Sequence, residues 1–332
     1  MASRSGSRSR VVAVLLLLLH AAISLSTTTP GTVRVNEEPI ADGLSWGFYN
    51  DSCPWVEDIV RWYVTEAVRL IRIFFHDCFP QARTSMIDIY VSAQLEVPNQ
   101  TLRPEALKLI DDIRGALSDA CGGPTVSCAD ITMLATRDAV AASGGPLFDV
   151  PLGRRDGLAP ASSDLVGTLP APVFDVPTLL EAFSNRSLDT ADLVALSGAH
   201  TVGRGHCPSF SDRLPLNADM DPALRQKLAA KCGKDPNAEQ VLDVRTPNAF
   251  DNKYYFDLIA IRQAGALHRI ATRFALNQAA FFDQFATSML KMSQMDVLTG
   301  NNGEIRLNCA LTNAASGIIV KTTADEGHAA DA

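Results

Sequence analysis

"RIFFHDCF" (72–79) reads as the end of a helix that carries chemistry. Arg72, Phe75 and His76 are three and four residues apart, so on a helix they share one face, and a guanidinium, an aromatic ring and an imidazole point into one space. Upstream, Val56, Ile59, Val60, Tyr63, Val64, Ala67, Val68, Ile71 and Phe75 recur at helical spacing, with Asp51 and Ser52 as cap-type residues before them. The spacing predicts one long helix, or two abutting ones, running from Pro54 into His76. Taken alone, His76 serves equally as a core histidine and Arg72 as a surface charge, because short motifs recur by accident.

A second histidine narrows the choice. His200 stands in "DLVALSGAHTVGRGHC" (192–207), at the end of an apolar helix beginning near Thr190, where an imidazole is hard to explain as a solvated surface group. Two histidines on separate buried helices, one followed by Asp77 and the other by Thr201, form a more specific pair than either alone. Other helices are predicted at Glu105–Ala120, with Pro104 near its start, and at Ala129–Ala142, ended by Ser143-Gly144-Gly145-Pro146. Pro177–Phe183, Thr190–Ala199 and Asn277–Met292 complete the strong signals. Turn-rich connectors at Val150–Gly157 and Leu169–Val173 lie between them, so the fold class is mainly α. Residues 82–97 break the pattern: Ser85–Val91 favours a short strand or nothing definite.

The ends and the composition bound the rest. Arg4, Arg8 and Arg10 precede the apolar run Val11–Leu19 and then small and hydroxylated residues, the pattern of a signal peptide over 1–26. That run is too short to span a bilayer comfortably, and no later stretch is long and apolar enough. The expected product is exported and extracellular. Removing 1–26 takes away three arginines and no acids, so the formal charge moves from -8 to -8 - 3 = -11. An acidic exported chain excludes nucleic acid and an anionic membrane as partners. One large domain is expected over 45–310, followed by an acidic extension, 311–332, without fixed structure. Seven cysteines (53, 78, 121, 128, 207, 232 and 309) make disulfides the default in an export compartment, and an odd number leaves at least one unpaired.

Longer segments carry a resemblance. "RIFFHDCFPQ" (72–81), "PNQTLRP" (98–104), "VSCADITMLATRDAV" (126–140), "GGPLFDVPLGRRDG" (144–157), "DLVALSGAHTVG" (192–203), "LDVRTPNAFDNKYY" (242–255) and "FFDQFATSMLKMSQMDVLTGNNGEIRLNC" (281–309) follow one another in family order. Over most of 45–310 the chain resembles a class III secretory plant peroxidase. The resemblance implies a distal and a proximal helical half sandwiching haem b, and reduction of hydrogen peroxide with oxidation of phenolic donors. It also implies a monomer.

By the same resemblance His200 is the axial ligand of haem iron, His76 the distal acid–base group and Arg72 the distal cation. Cleaving the peroxide O–O bond needs a base for one proton and an acid to return it, which a neutral imidazole can supply. A permanently protonated guanidinium stabilises the negative charge on the departing oxygen. Asn99 matches the asparagine that fixes the distal tautomer, although Asn99-Gln100-Thr101 is also a glycosylation sequon. Phe75 matches the aromatic that restricts approach to iron, and Pro170 a residue lining the donor channel or simply a rigid loop proline. Thr201, Asp243, Thr246 and Asp251, with the Ala249 carbonyl, match a proximal calcium site, whose hard oxygen donors suit that ion. The implied disulfides are Cys53–Cys121, Cys128–Cys309 and Cys207–Cys232, with Cys78 as the free thiol.

Three departures stand out. After the distal histidine the family has a glycine, a second cysteine, an aspartate and a serine; here Ala82–Met86 fill the stretch, so Asp77 loses its fellow ligands and a distal calcium site is expected to be absent. The glutamate that links this calcium to the pocket is missing too, with Ala93 near its place. The segment at 68–71 is shortened. Residues 256–278, most altered at 259–272, lack the aspartate that hydrogen-bonds the axial imidazole, and His268 reads as a loop histidine. These losses motivate the alternative of a catalytically impaired secreted protein that binds haem weakly or not at all. The extended tail resembles those of vacuolar members, which leaves the vacuole as the alternative destination. Asn50 and Asn185 head two further glycosylation sequons.

Overall fold

The apolar stripe that leads into His76 becomes two helices, Val56–Val64 (α1) and Leu70–Gln81 (α2). The computed structural model describes Val33 and residues 40–64, 70–81, 102–159, 161–214, 220–259 and 265–316, all within one unit, Thr32–Ala332. The signal peptide, the stretch 82–97 with its strand and Ala93, Asn99, and the tail beyond 316 lie outside the described residues.

Helix Pro104–Ala120 (α3) carries Pro104 in its first turn, where no N–H is needed, and buries Ala106, Leu107, Ile110, Ile113, Arg114 and Leu117 at helical spacing. Helix Cys128–Ala142 (α4) is the centre of this half. Every residue from Cys128 to Val140 is buried, and α1, α2 and α3 all pack on it. A helix enclosed on all sides needs its end groups satisfied internally. Ser127 accepts from Asp130 N at 3.1 Å, and the buried Asp156 accepts from Cys128 N at 3.1 Å and Ala129 N at 3.0 Å.

A short helix, Ser163–Val166 (α5), and helix Val176–Ser184 (α6) lead to the second half. Helix Thr190–Ser197 (α7) starts with a capping box in which Asp189 and Asp192 each accept the other's backbone N–H. It passes at Gly198 into a 3-10 turn, Gly198–Thr201, so its α-helical part ends two residues before the predicted Ala199. Strands Arg204–His206 (β1) and Glu239–Val241 (β2) pair antiparallel, with Arg204 opposite Val241 and His206 opposite Glu239. Helix Pro222–Lys234 (α8) lies between them in the chain.

Helices Lys253–Ile259 (α9), Ala266–Leu276 (α10) and Gln278–Met292 (α11) close the fold; α9 packs on α10, and both α10 and α11 pack on α7. His268 therefore stands on a helix, α10, and not in a loop, because Leu267, Ile270, Ala271 and Phe274 give 266–276 an apolar stripe that folds onto α7 and α11. Phe250, Tyr255, Phe274, Phe281 and Phe285 form an almost fully buried aromatic cluster beneath these helices. Each such ring contributes about 1.5–3 kcal/mol by burial.

Three disulfides join Cys53 to Cys121, Cys128 to Cys309 and Cys207 to Cys232, the pairs the resemblance implies, and Cys78 is a buried free thiol on α2. Among the described residues no helix is long and apolar enough to cross a membrane.

Candidate active site

On α2 the helical spacing does what the sequence predicts. Arg72 Nε lies 3.1 Å from His76 Nε2. A guanidinium has no lone pair to offer, so it donates and the imidazole accepts, which fixes His76 as neutral with its proton on Nδ1. Phe75 meets the His76 ring edge to face at 6.1 Å and lies 4.9 Å from Phe79. Ile73, Phe74 and Phe79 are buried against the core while Arg72 is exposed, so this helix divides cleanly into a packing face and a chemical face.

The opposing wall begins where α7 ends. Gly198 makes that end possible: a Cβ there would collide with the Tyr255 hydroxyl and the Phe281 ring, and Tyr255 uses the approach to donate to Val194 O at 2.9 Å. Two residues on, His200 Nδ1 lies 3.0 Å from Ser197 O. The carbonyl can only accept, so Nδ1 carries the proton and Nε2 keeps its lone pair. The residue is exposed, yet the protein crowded around it depresses its basicity below the ordinary histidine value, chiefly by desolvation and further by the positive charge of Arg72, against the Ser197 hydrogen bond. His200 is thus accessible and yet desolvated, and the charge of Arg72, on the other half of the molecule, bears on it.

Around this centre stand residues the sequence reading did not single out. The Tyr254 ring is 6.1 Å from that of His200, and burial pushes its phenol up to about 12 despite the nearby charge of Arg213. Arg213 donates to Pro172 O at 2.5 Å, which ties it to the half-exposed loop that carries Pro170. Although Arg72 is solvent-accessible, desolvation by the protein crowded around it, and then the charge of Arg103, lowers its guanidinium below its ordinary value. Arg103 is hydrogen-bonded to Glu239 on β2, so one arginine joins the first half to the hairpin of the second. In the sequence, the only local mark beside Ser197 is Gly198, two residues before His200, and the predicted helix runs past it to Ala199. Nothing local marked Arg103.

Asn99 lies outside the described residues, as do residues 82–86, the partners Asp77 would need for a cation. Asp77 itself is buried on α2. Its charge adds to burial, the larger cause, in raising the neighbouring Cys78 thiol well above the ordinary cysteine value, so Cys78 is held protonated.

A second centre adjoins His200. The Thr201 hydroxyl has one proton, and three acceptors stand within reach of it: Asp243 Oδ2 at 3.0 Å, Asp251 Oδ1 at 3.2 Å and Ala249 O at 3.5 Å. The Thr246 hydroxyl is 3.4 Å from Asp243 Oδ2. Two carboxylates, a carbonyl and two hydroxyls thus converge with backbone N–H groups but no side-chain cation among their described hydrogen-bond partners, and Thr201 and Asp243 are fully buried. Such a cluster of hard oxygens fits a calcium ion. Among the described residues no group of three or more histidine, cysteine or acidic side chains comes together.

The chain is similar to known proteins over the same span. A family model described as peroxidase matches residues 55–309. The cationic peroxidase SPC4 of Sorghum bicolor is 45% identical over 91% of this chain and 92% of that protein, and peroxidase 12 of Arabidopsis thaliana is 42% identical over the same shares. Peroxidase 57 of Arabidopsis thaliana is 41% identical over 81% of this chain and 93% of its own. With both the site-bearing helices and the calcium-type cluster inside the matched span, the chain belongs to the peroxidase family.

Proposed function

We propose that this peroxidase works with haem held between its two halves, with His200 as axial ligand and with His76 and Arg72 acting on hydrogen peroxide. The observation that carries the reading is that α2 brings Arg72 and His76 within 3.1 Å of one another, while His200, on the other half of the molecule, is exposed and keeps an unprotonated Nε2. Residues fit the group on both sides: His200 presents a neutral Nε2, Phe75 and Tyr254 offer apolar faces, and Arg72 offers a fixed positive charge.

When bound, haem supplies the iron and the electrons for peroxide reduction, which donors later replace. His76, once its Nε2 lone pair is released from the Arg72 N–H, would take a proton from one peroxide oxygen and return it to the departing one. The guanidinium of Arg72 stabilises the negative charge developing on that departing oxygen. Asn99 completes this reading as the partner of His76 Nδ1. Phenolic donors approach by the loop of Pro170, beside Arg213 and Tyr254, where Phe75 keeps bulky groups from the iron. Thr201, Asp243, Thr246 and Asp251, with the Ala249 carbonyl, hold one calcium ion next to the axial ligand, while the distal site at Asp77 is absent. The protein is exported as a monomer; three disulfides support an oxidising destination.

The test is stopped-flow mixing of the hemin-loaded protein with peroxide. His76→Ala is expected to slow the spectral change by about 10²–10⁴-fold, while His200→Ala changes the absorption spectrum before any peroxide is added. A rate indifferent to His76 refutes the distal assignment, and a spectrum indifferent to His200 refutes the axial one.

A further inference from the structure

The end of α7 decides what kind of ligand His200 is. The helix stops at Ser197 and tightens into the 3-10 turn, so His200 folds back over the end of its own helix and donates Nδ1–H to the Ser197 carbonyl at 3.0 Å. The Ser197 hydroxyl takes no part: it donates to Leu193 O at 2.7 Å. Among the described residues the groups bearing on the ring are this carbonyl, the Arg72 guanidinium and the Tyr254 ring, and none is a carboxylate. The described parts of 256–278, where the resemblance would put an aspartate, form α9, α10 and the start of α11 instead.

A histidine that binds metal through one nitrogen is tuned by the acceptor at the other. A carboxylate there draws the Nδ1 proton strongly and gives the ring imidazolate character, which makes Nε2 a better donor. A peptide carbonyl is a neutral and weaker acceptor, and charge-assisted hydrogen bonds are roughly twice as strong as neutral ones.

Given His200 as the axial ligand, we infer that it is positioned by the Ser197 carbonyl of its own helix in place of a side-chain carboxylate, and so gives iron a weaker donor and a more positive ferric/ferrous potential. Ser197 is then a positioning residue that acts through its backbone. Because donor and acceptor lie three residues apart on one turn, the arrangement is built before haem arrives and tolerates the altered segment at 256–278. The burden of polarising peroxide shifts toward Arg72 and His76.

Resonance Raman spectroscopy of the reduced, hemin-loaded protein tests this, beside a family relative that retains the aspartate. The iron–histidine stretch is expected at lower frequency than in the relative, and a spectroelectrochemical titration at a more positive potential. Equal frequency and equal potential overturn the inference while leaving His200 as the ligand. Ser197→Ala removes the hydroxyl and keeps the carbonyl, so it is expected to leave the stretch in place; a shift there overturns the carbonyl assignment. A stretch that survives His200→Ala overturns the axial reading and this inference with it.

Discussion

Asp130 and Asp243 are both fully buried aspartates, and they live in opposite surroundings. Asp130 receives hydrogen bonds from Arg154 Nη1, the Tyr49 hydroxyl and Gly153 N, each at 2.8 Å. A cation built into the chain neutralises it, and Arg154 goes on to donate to Ser293 O at 2.7 Å and so ties the first half to the end of α11. Asp243 receives two backbone N–H groups, from Arg245 at 2.7 Å and Thr246 at 3.2 Å, and two hydroxyls, one of which it shares with Asp251 and Ala249 O. No side-chain cation is among these partners. The first cluster is a staple, complete when the chain has folded; the second is an arrangement that a dissolved cation would complete. Burial of an acid does not by itself distinguish them, whereas the presence of a side-chain cation among the partners does.

The largest expected effect lies at the staple. Arg154→Ala leaves Asp130 buried opposite neutral donors and should cost about 3–5 kcal/mol in denaturant unfolding, with no rescue by added calcium. A loss under about 1 kcal/mol, or a rescue, would break the contrast. The next lies at the second cluster: removing calcium from the loaded protein with a chelator should lower Tm, by the equivalent of about 2.7 kcal/mol if free calcium had stood at a hundred times its Kd. Asp243→Asn should abolish that response, and a chelator effect that persists in the variant would place the ion elsewhere. The smallest lies at Arg103 and Glu239, a partly exposed pair whose carboxylate also has Arg204 and His206 beside it to take up part of the loss. Arg103→Ala should cost about 0.2–1 kcal/mol, less at high salt. The hydrogen bond from Arg103 holds the Glu239 carboxyl below its ordinary value of 4.5, so this contribution is present above that pH and lost as acid takes the group through its folded value. A wild-type/variant difference that grows on acidification below pH 4.5 would contradict it.

How much of this was legible in sequence follows from which forces left a local trace. Helices α3, α4 and α11 are written as apolar spacing with Pro104, Ser127 and Asn277 at their starts, because their burial depends on one continuous face or on the whole surface. Helix α8 is not, since Leu228 is its one buried residue and only the Asp221-Pro222 start betrays it. The stripe of α10 is periodic, but no capping side chain precedes it: Gly265 stands at its start with φ 145°. Strands β1 and β2 are three polar-rich residues each, and their pairing is set by Cys207–Cys232 and the fold around it rather than by alternation. The candidate site divides likewise. The Arg72–His76 contact is a consequence of helical spacing, whereas Ser197 as partner of His200 depends on where a helix yields to a tighter turn, and Arg103 reaches Glu239 across 136 positions of chain.

The bond between Cys128 and Cys309 spans 181 positions. A chain made from its amino end can close Cys53 on Cys121 early, but Cys128 must stay reduced until nearly the whole polypeptide has been synthesised. During that interval Cys78 is a competing partner for it, and the docking of α2, which buries the Cys78 sulfur, takes that competitor out of reach.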